Sequence, residues 1–123
     1  MKTAIIVRAD STHEVIDIQD DTLAKLQTAV DGLIEAIDLT ESLTMWVNEE
    51  FLFRNSFEPN LLGTAMYQSV GGGSTILGDV VFTGGTDPEG YTMGLNDYDF
   101  NKLTELANDA QRWVETGVLE IGR

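Results

Sequence analysis

The spacing of apolar and polar positions changes along the chain, and those changes divide it into elements. Residues 3–9 are β-branched and apolar and predict a strand buried on both faces. Asp10, Ser11 and Thr12 supply turn chemistry, and residues 13–18 return as a second strand with Ile16 and Ile18 on one face. Asp20 or Asp21 is placed to cap a helix starting at Thr22, whose Leu23, Leu26 and Val30 recur at i, i+3 and i+7. Leu33 and Ile37 would extend that stripe to about Asp38. Gly32, however, costs roughly 1 kcal/mol inside a helix and is the usual residue just past a helix end. The preferred reading is a helix ending near Asp31 and a strand over 33–39, with helix continuation as the alternative.

The segment Leu-Thr-Met-Trp-Val-Asn, 43–48, is rich in β-formers and stops at Glu49 and Glu50. Glu58-Pro59 predicts a short helix with Pro at its first position, running to about Gln68. Gly71, Gly72 and Gly73 follow as a flexible loop. Residues 76–83 predict a strand interrupted at Gly78, 84–90 a wide turn, and 91–95 a returning strand. Phe100, Leu103, Ala107, Ala110 and Val114 sit three and four apart, with Leu106 and Trp113 on the same side. That is a helix capped by Asn96 or Asp97 and ended by Gly117. Strands and helices mix without βαβ alternation. The expectation is one α+β domain over 1–123, with a mainly antiparallel sheet of about five or six strands, two longer helices and one short helix.

Three segments together resemble a known group: Leu33-Ile34-Glu35-Ala36-Ile37-Asp38-Leu39, the stretch 43–50 ending in Glu49-Glu50, and 76–84 with its Gly-Asp-Val and closing Gly. In order and spacing they resemble a family of small bacterial, plasmid and bacteriophage proteins known only as a domain of unknown function. The resemblance covers roughly residues 3 to 106. It implies a phage or mobile-element origin and action inside the host cell, and it supplies no activity, cofactor or catalytic residue. Phe51-Leu52-Phe53 departs from the pattern, where a Gly turn is more usual.

Composition then narrows the function. The chain has 123 residues, no cysteine and one histidine, which removes disulfides, thiolate metal sites and cysteine nucleophiles. The N-terminal apolar stretch is cut short by Arg8 and Asp10, so neither a signal peptide nor a membrane span is expected, and the localisation expected is the cytoplasm of the host cell. Asp and Glu number 21 against 7 Lys and Arg, a formal charge of −14. That balance opposes direct binding to nucleic-acid phosphates. Between Lys25 and Lys102 stand twelve carboxylates and a single cation, Arg54. Such density favours fast association with a basic partner, at the cost of self-repulsion.

The candidate sites are weighed against simpler roles. Gly71, Gly72, Gly73, Ser74 and Thr75 could offer backbone N–H groups to a phosphate, but a Walker loop needs a Lys and a following helix, so a linker is preferred. Asp79 with Glu49 and Glu50 could hold Mg²⁺ for hydrolysis, although neighbouring strand residues point to opposite faces. Ser11, His13 and Asp10 or Asp17 contain the residue types of a triad but no nucleophile elbow. The segments 87–90 and 96–99 lack the ligand spacing of a calcium loop, and turn and capping roles suffice. Phe51, Phe53 and Phe57 surround Arg54, either closing the core or forming an interface patch.

The expectation is a non-enzymatic acidic binding protein, without cofactor or metal. It would occlude a basic, nucleic-acid-binding host protein such as a defence nuclease by imitating the charge of nucleic acid. Glu35, Asp38, Glu41, Glu49 and Glu50 would supply charge, with Phe51, Phe53 and Arg54 as anchor. The alternative is a nucleotide-sequestering protein using 71–75.

Overall fold

The computed structural model describes residues 1–51 and 57–116. Five strands and three helices run in the order β1 (Thr3–Val7), β2 (His13–Asp17), α1 (Thr22–Val30), β3 (Ile34–Thr40), β4 (Leu43–Asn48), α2 (Leu61–Ser69), β5 (Val80–Thr83), α3 (Asp97–Glu115). The fold is α+β, with one sheet of order β2-β1-β5-β4-β3 in which every pairing is antiparallel.

Strand alternation sends the apolar residues of the sheet into two cores. Ile5, Val7, Met45, Val47, Val80 and Phe82 face one side, where Leu62 of α2 and Leu103 and Ala107 of α3 cover them. Ala4 and Val81 face the other side, under Leu26 and Val30 of α1, with Ile6, Ile16, Ile34 and Trp46 packed around them. The central strands β1, β5 and β4 are therefore buried on both faces. The edge strands β2 and β3 are amphipathic.

The expected helix ending near Asp31 and strand after it are found, while several other boundaries fall differently from expectation. Strand pairing ends α1's stripe at Val30 and puts 34–40 in the sheet beside β4. The left-handed residue ending α1 is Asp31 (φ 60), followed by Gly32. A Cβ on Gly32 would lie 2.5 Å from Asn48 Nδ2, which donates to the carbonyls of Val30 and Asp31, so close approach also requires a glycine there. At the other end of α1, Asp21 occupies the cap position in a left-handed conformation without a capping hydrogen bond.

Pro59 does not open α2. It bridges to Leu77, and Asn60 is the N-cap, its Oδ1 accepting from Gly63 N at 2.9 Å. Asn60 is 0% exposed, and its Nδ2 donates to the carbonyls of Val7 and Gly78 at 3.0 and 2.9 Å. One side chain thus ties β1, the start of α2 and the approach to β5 together. Residues 91–95 do not form a strand. The segment 84–95 is a loose hairpin held by the Thr86–Thr92 bridge, and Leu95 N donates to the carbonyl of Thr3. Gly84 permits this hairpin, because a Cβ there would lie 2.2 Å from the carbonyl oxygen of Gly94. Asn96, not Asp97, caps α3 by accepting from Asp99 N at 2.7 Å. Trp113 is 43% exposed, off the core stripe that Leu103, Ala107 and Ala110 form; Gly117 and the side chain of Val114 lie outside what is described.

Candidate functional site

The antiparallel order assigns each candidate to one of two ends of the sheet. At one end β1 starts and β5 and β2 finish, with the β3–β4 hairpin, the 84–95 hairpin and the first turn of α3 beside them. Asp17, Asp20 and Asp21 lie there around the start of α1, Asp38 and Glu41 at the β3–β4 hairpin, Asp87 and Glu89 on the 84–95 hairpin, and Asp97 and Asp99 on α3. Asp38 and Glu41 share a shallow depression of about 320 Å³ with Thr40, Gly85 and Thr86. Ser42 Oγ donates to Asp99 at 2.9 Å, which joins that hairpin to α3.

Glu49 and Glu50 stand at the opposite end, past the six-residue β4, roughly 20 Å away at about 3.4 Å per residue. Glu35 and Asp38 lie on opposite faces of β3. The five glutamates and aspartates expected to act together are exposed, but they are split between two ends and two faces. Of the expected anchor, Phe51 alone is among the described residues. Phe51 is 5% exposed and sits in the α2–α3 core, where closing the core costs less than exposing an aromatic ring. Phe57 packs half-buried against the same core, and Phe53 and Arg54 lie outside the described residues.

The glycine loop is the end of a helix. Gly71 N donates to the carbonyl of Gln68 and Gly72 N to that of Tyr67, so two of the three glycine amides already satisfy α2. They also sit at the helix's C-terminus, where the dipole repels anions. Asp79 Oδ1 accepts from Ala9 N at 2.9 Å, fastening the ends of β1 and β5. Among the described residues no group of three or more His, Asp or Glu is placed to hold a metal ion. His13 and Asp17 stand at opposite ends of β2, and Asp10 Oδ1 is taken by Thr12 N and Oγ1 at 2.9 and 2.6 Å. Those Thr12 bonds hold the Asp10 carboxyl below its ordinary range. The amides of Gln19 and Lys2 do the same for Asp17.

Sequence reasoning missed an aromatic pocket at the end that carries the 84–95 hairpin. It has a volume of about 230 Å³ and lies between the first turn of α1 and the 84–95 hairpin, lined by Lys2, Leu23, Leu26, Ile34, Trp46 and Tyr91 among others. Trp46 Nε1 donates to Thr83 Oγ1 at 2.8 Å, which fixes one wall. Asp87 positions the other: its Oδ1 accepts from Tyr91 N at 2.9 Å, while its N–H donates to the Tyr91 carbonyl. Tyr91 is 66% exposed and Leu23 58%. Lys2 Nζ stands over the Tyr91 ring, 5.9 Å from its centroid. Trp46 read as a strand residue and Tyr91 as the start of a returning strand, and the 44 positions between them hid their meeting.

Fold and surface define an acid-rich α+β domain with an open aromatic pocket at the end of the sheet that carries the 84–95 hairpin. The chain belongs to the family described as domain of unknown function DUF3846, whose model matches residues 1–108. No curated protein and no solved structure matches it. No helix among the described residues is long and apolar enough to cross a membrane.

Proposed function

We propose that this domain is a small acidic binding protein whose partner is a basic protein, and that it occludes a nucleic-acid-binding surface of that partner inside the host cell. The observation that carries the reading is the excess of exposed carboxylates. The chain's formal charge is −14, and among the described residues the ion pairs Arg8–Glu14 and Arg112–Asp109 are exposed and each joins residues close in sequence. Fourteen uncompensated charges on a domain of this size raise the rate of encounter with a cationic surface and select against anionic ones. A phage or mobile-element origin, which the sequence resemblance implies, would make a host defence nuclease the occluded partner.

The nucleotide-sequestering alternative is weaker, because a phosphate at 71–75 would meet amides already donated to α2. The test is capture from bacterial lysate at about 50 mM salt and again at about 500 mM, where screening removes long-range attraction. Recovery of a basic nucleic-acid-binding protein only at low salt supports the proposal. Capture that salt does not affect, or that favours acidic proteins, rejects it.

A further inference from the structure

We infer that the end of the sheet carrying the 84–95 hairpin is the docking face and that the pocket between Trp46 and Tyr91 receives an arginine side chain of the basic partner. The inference rests on the reading of a basic partner and adds where and how it binds. Three observations converge. The first is composition: Leu23, Tyr91, Met93 and Tyr98, four of the large apolar side chains left exposed, lie at this end among nine carboxylates. Exposed aromatic and Met side chains within a charged rim are the composition of an interface centre.

The second is size. At about 230 Å³ the pocket is smaller than the roughly 300–1,000 Å³ of sites that enclose whole small molecules. One long side chain matches it better. The third is charge. Lys2 already places an ammonium over the Tyr91 ring, so that ring face accepts a cation in this fold; Asp17 and Asp87 accept from the backbone N–H groups of the lining residues Lys2 and Tyr91, and Asp21 and Glu89 directly precede the lining residues Thr22 and Gly90. A guanidinium can stack on an aromatic face while its N–H groups reach a carboxylate in bidentate fashion, which an ammonium cannot do. An arginine of the partner would therefore displace Lys2 from Tyr91 and gain a carboxylate in addition.

The probe is a short peptide of alternating arginine and serine, titrated at low salt into the isotope-labelled chain and followed by NMR. The chain's two tryptophans are internal reporters. Trp46 lines the pocket, and Trp113 is exposed about 24 Å along α3 from its first turn, at 1.5 Å per residue. The expected result is a saturable shift of the Trp46 indole N–H while that of Trp113 stays in place. Tyr91→Ala should weaken binding roughly two- to fivefold, as an exposed cation–π contact implies. Lys2→Gln, which removes the competing cation, should strengthen it. Glu49→Lys with Glu50→Lys, at the other end, should weaken binding less than Asp20→Lys with Glu89→Lys. Shifts centred on the Glu49 end, or weaker binding by Lys2→Gln, overturn this docking site and leave the basic-partner reading standing. Absence of any binding at low salt overturns both.

Discussion

Replacing Asn60 by alanine tests the architecture where it is most concentrated. The side chain caps α2 through Gly63 N and supplies two donors to the carbonyls of Val7 and Gly78, all within 3.0 Å and out of solvent. Loss of an N-cap costs about 1 kcal/mol. Each carbonyl that loses a buried donor adds roughly 1 kcal/mol or more. The sum is about 3 kcal/mol, on the order of 10 °C in melting temperature for a domain of this length. Asn60→Ser keeps an acceptor for Gly63 and should fall between alanine and wild type. Asn60→Asp keeps the acceptor but turns an anionic oxygen toward two carbonyls, so it should be the worst at neutral pH and recover partly in acid. Urea denaturation, read by far-ultraviolet circular dichroism, gives the differences directly. A loss below about 1 kcal/mol for Asn60→Ala would refute the three-bond account, since the cap alone is worth that much.

Other outcomes follow from the same structure. Gly84→Ala should destabilise by well over 1 kcal/mol and loosen the hairpin that carries Tyr91, because its Cβ meets the carbonyl oxygen of Gly94 at 2.2 Å; thermal melts and the Tyr91 amide signal report it. Phe51→Ala should cost roughly 3–5 kcal/mol as a buried aromatic, whereas an interface role would leave the melting temperature unchanged. Asp17 has a folded-state pKa depressed by the Gln19 and Lys2 amides. Its contribution is therefore present above the unfolded value of about 3.9 and lost as pH falls through the folded one. Melts across acid pH should show the gap between wild type and Asp17→Ala narrowing there, and a gap constant with pH would contradict the linkage. Added salt should raise the melting temperature, since it screens the self-repulsion of a chain at −14; a fall would mean that attractive pairs dominate.

The fold was largely legible because each central strand announces itself locally. Residues 3–7 are mostly apolar on both faces and 43–48 are rich in β-formers, and both strands are buried on both faces. Gly32 argued for breaking the stripe that Leu33 and Ile37 would have continued, and the break is there. The start of α2 was misread because Pro at a first helical position is a general preference. Asn60 instead serves contacts 53 and 18 residues away, which no local window contains. The candidate site was less legible. Charge can be counted along a sequence, but its division between two sheet ends depends on topology. The Trp46–Tyr91 pocket depends further on a glycine-enabled hairpin folding beside α1. Phe51 shows the converse: a run of aromatic residues near Arg54 could form an interface patch, yet Phe51 lies in the core and Phe57 packs against it.

Competition measures the central claim most directly. The captured basic partner, bound to the immobilised domain at low salt, is challenged with a nucleic-acid duplex that the partner itself binds. The account predicts that the duplex releases the partner as it is added, because carboxylates and phosphates compete for one cationic surface. A partner that stays on the domain while binding the duplex would contradict it.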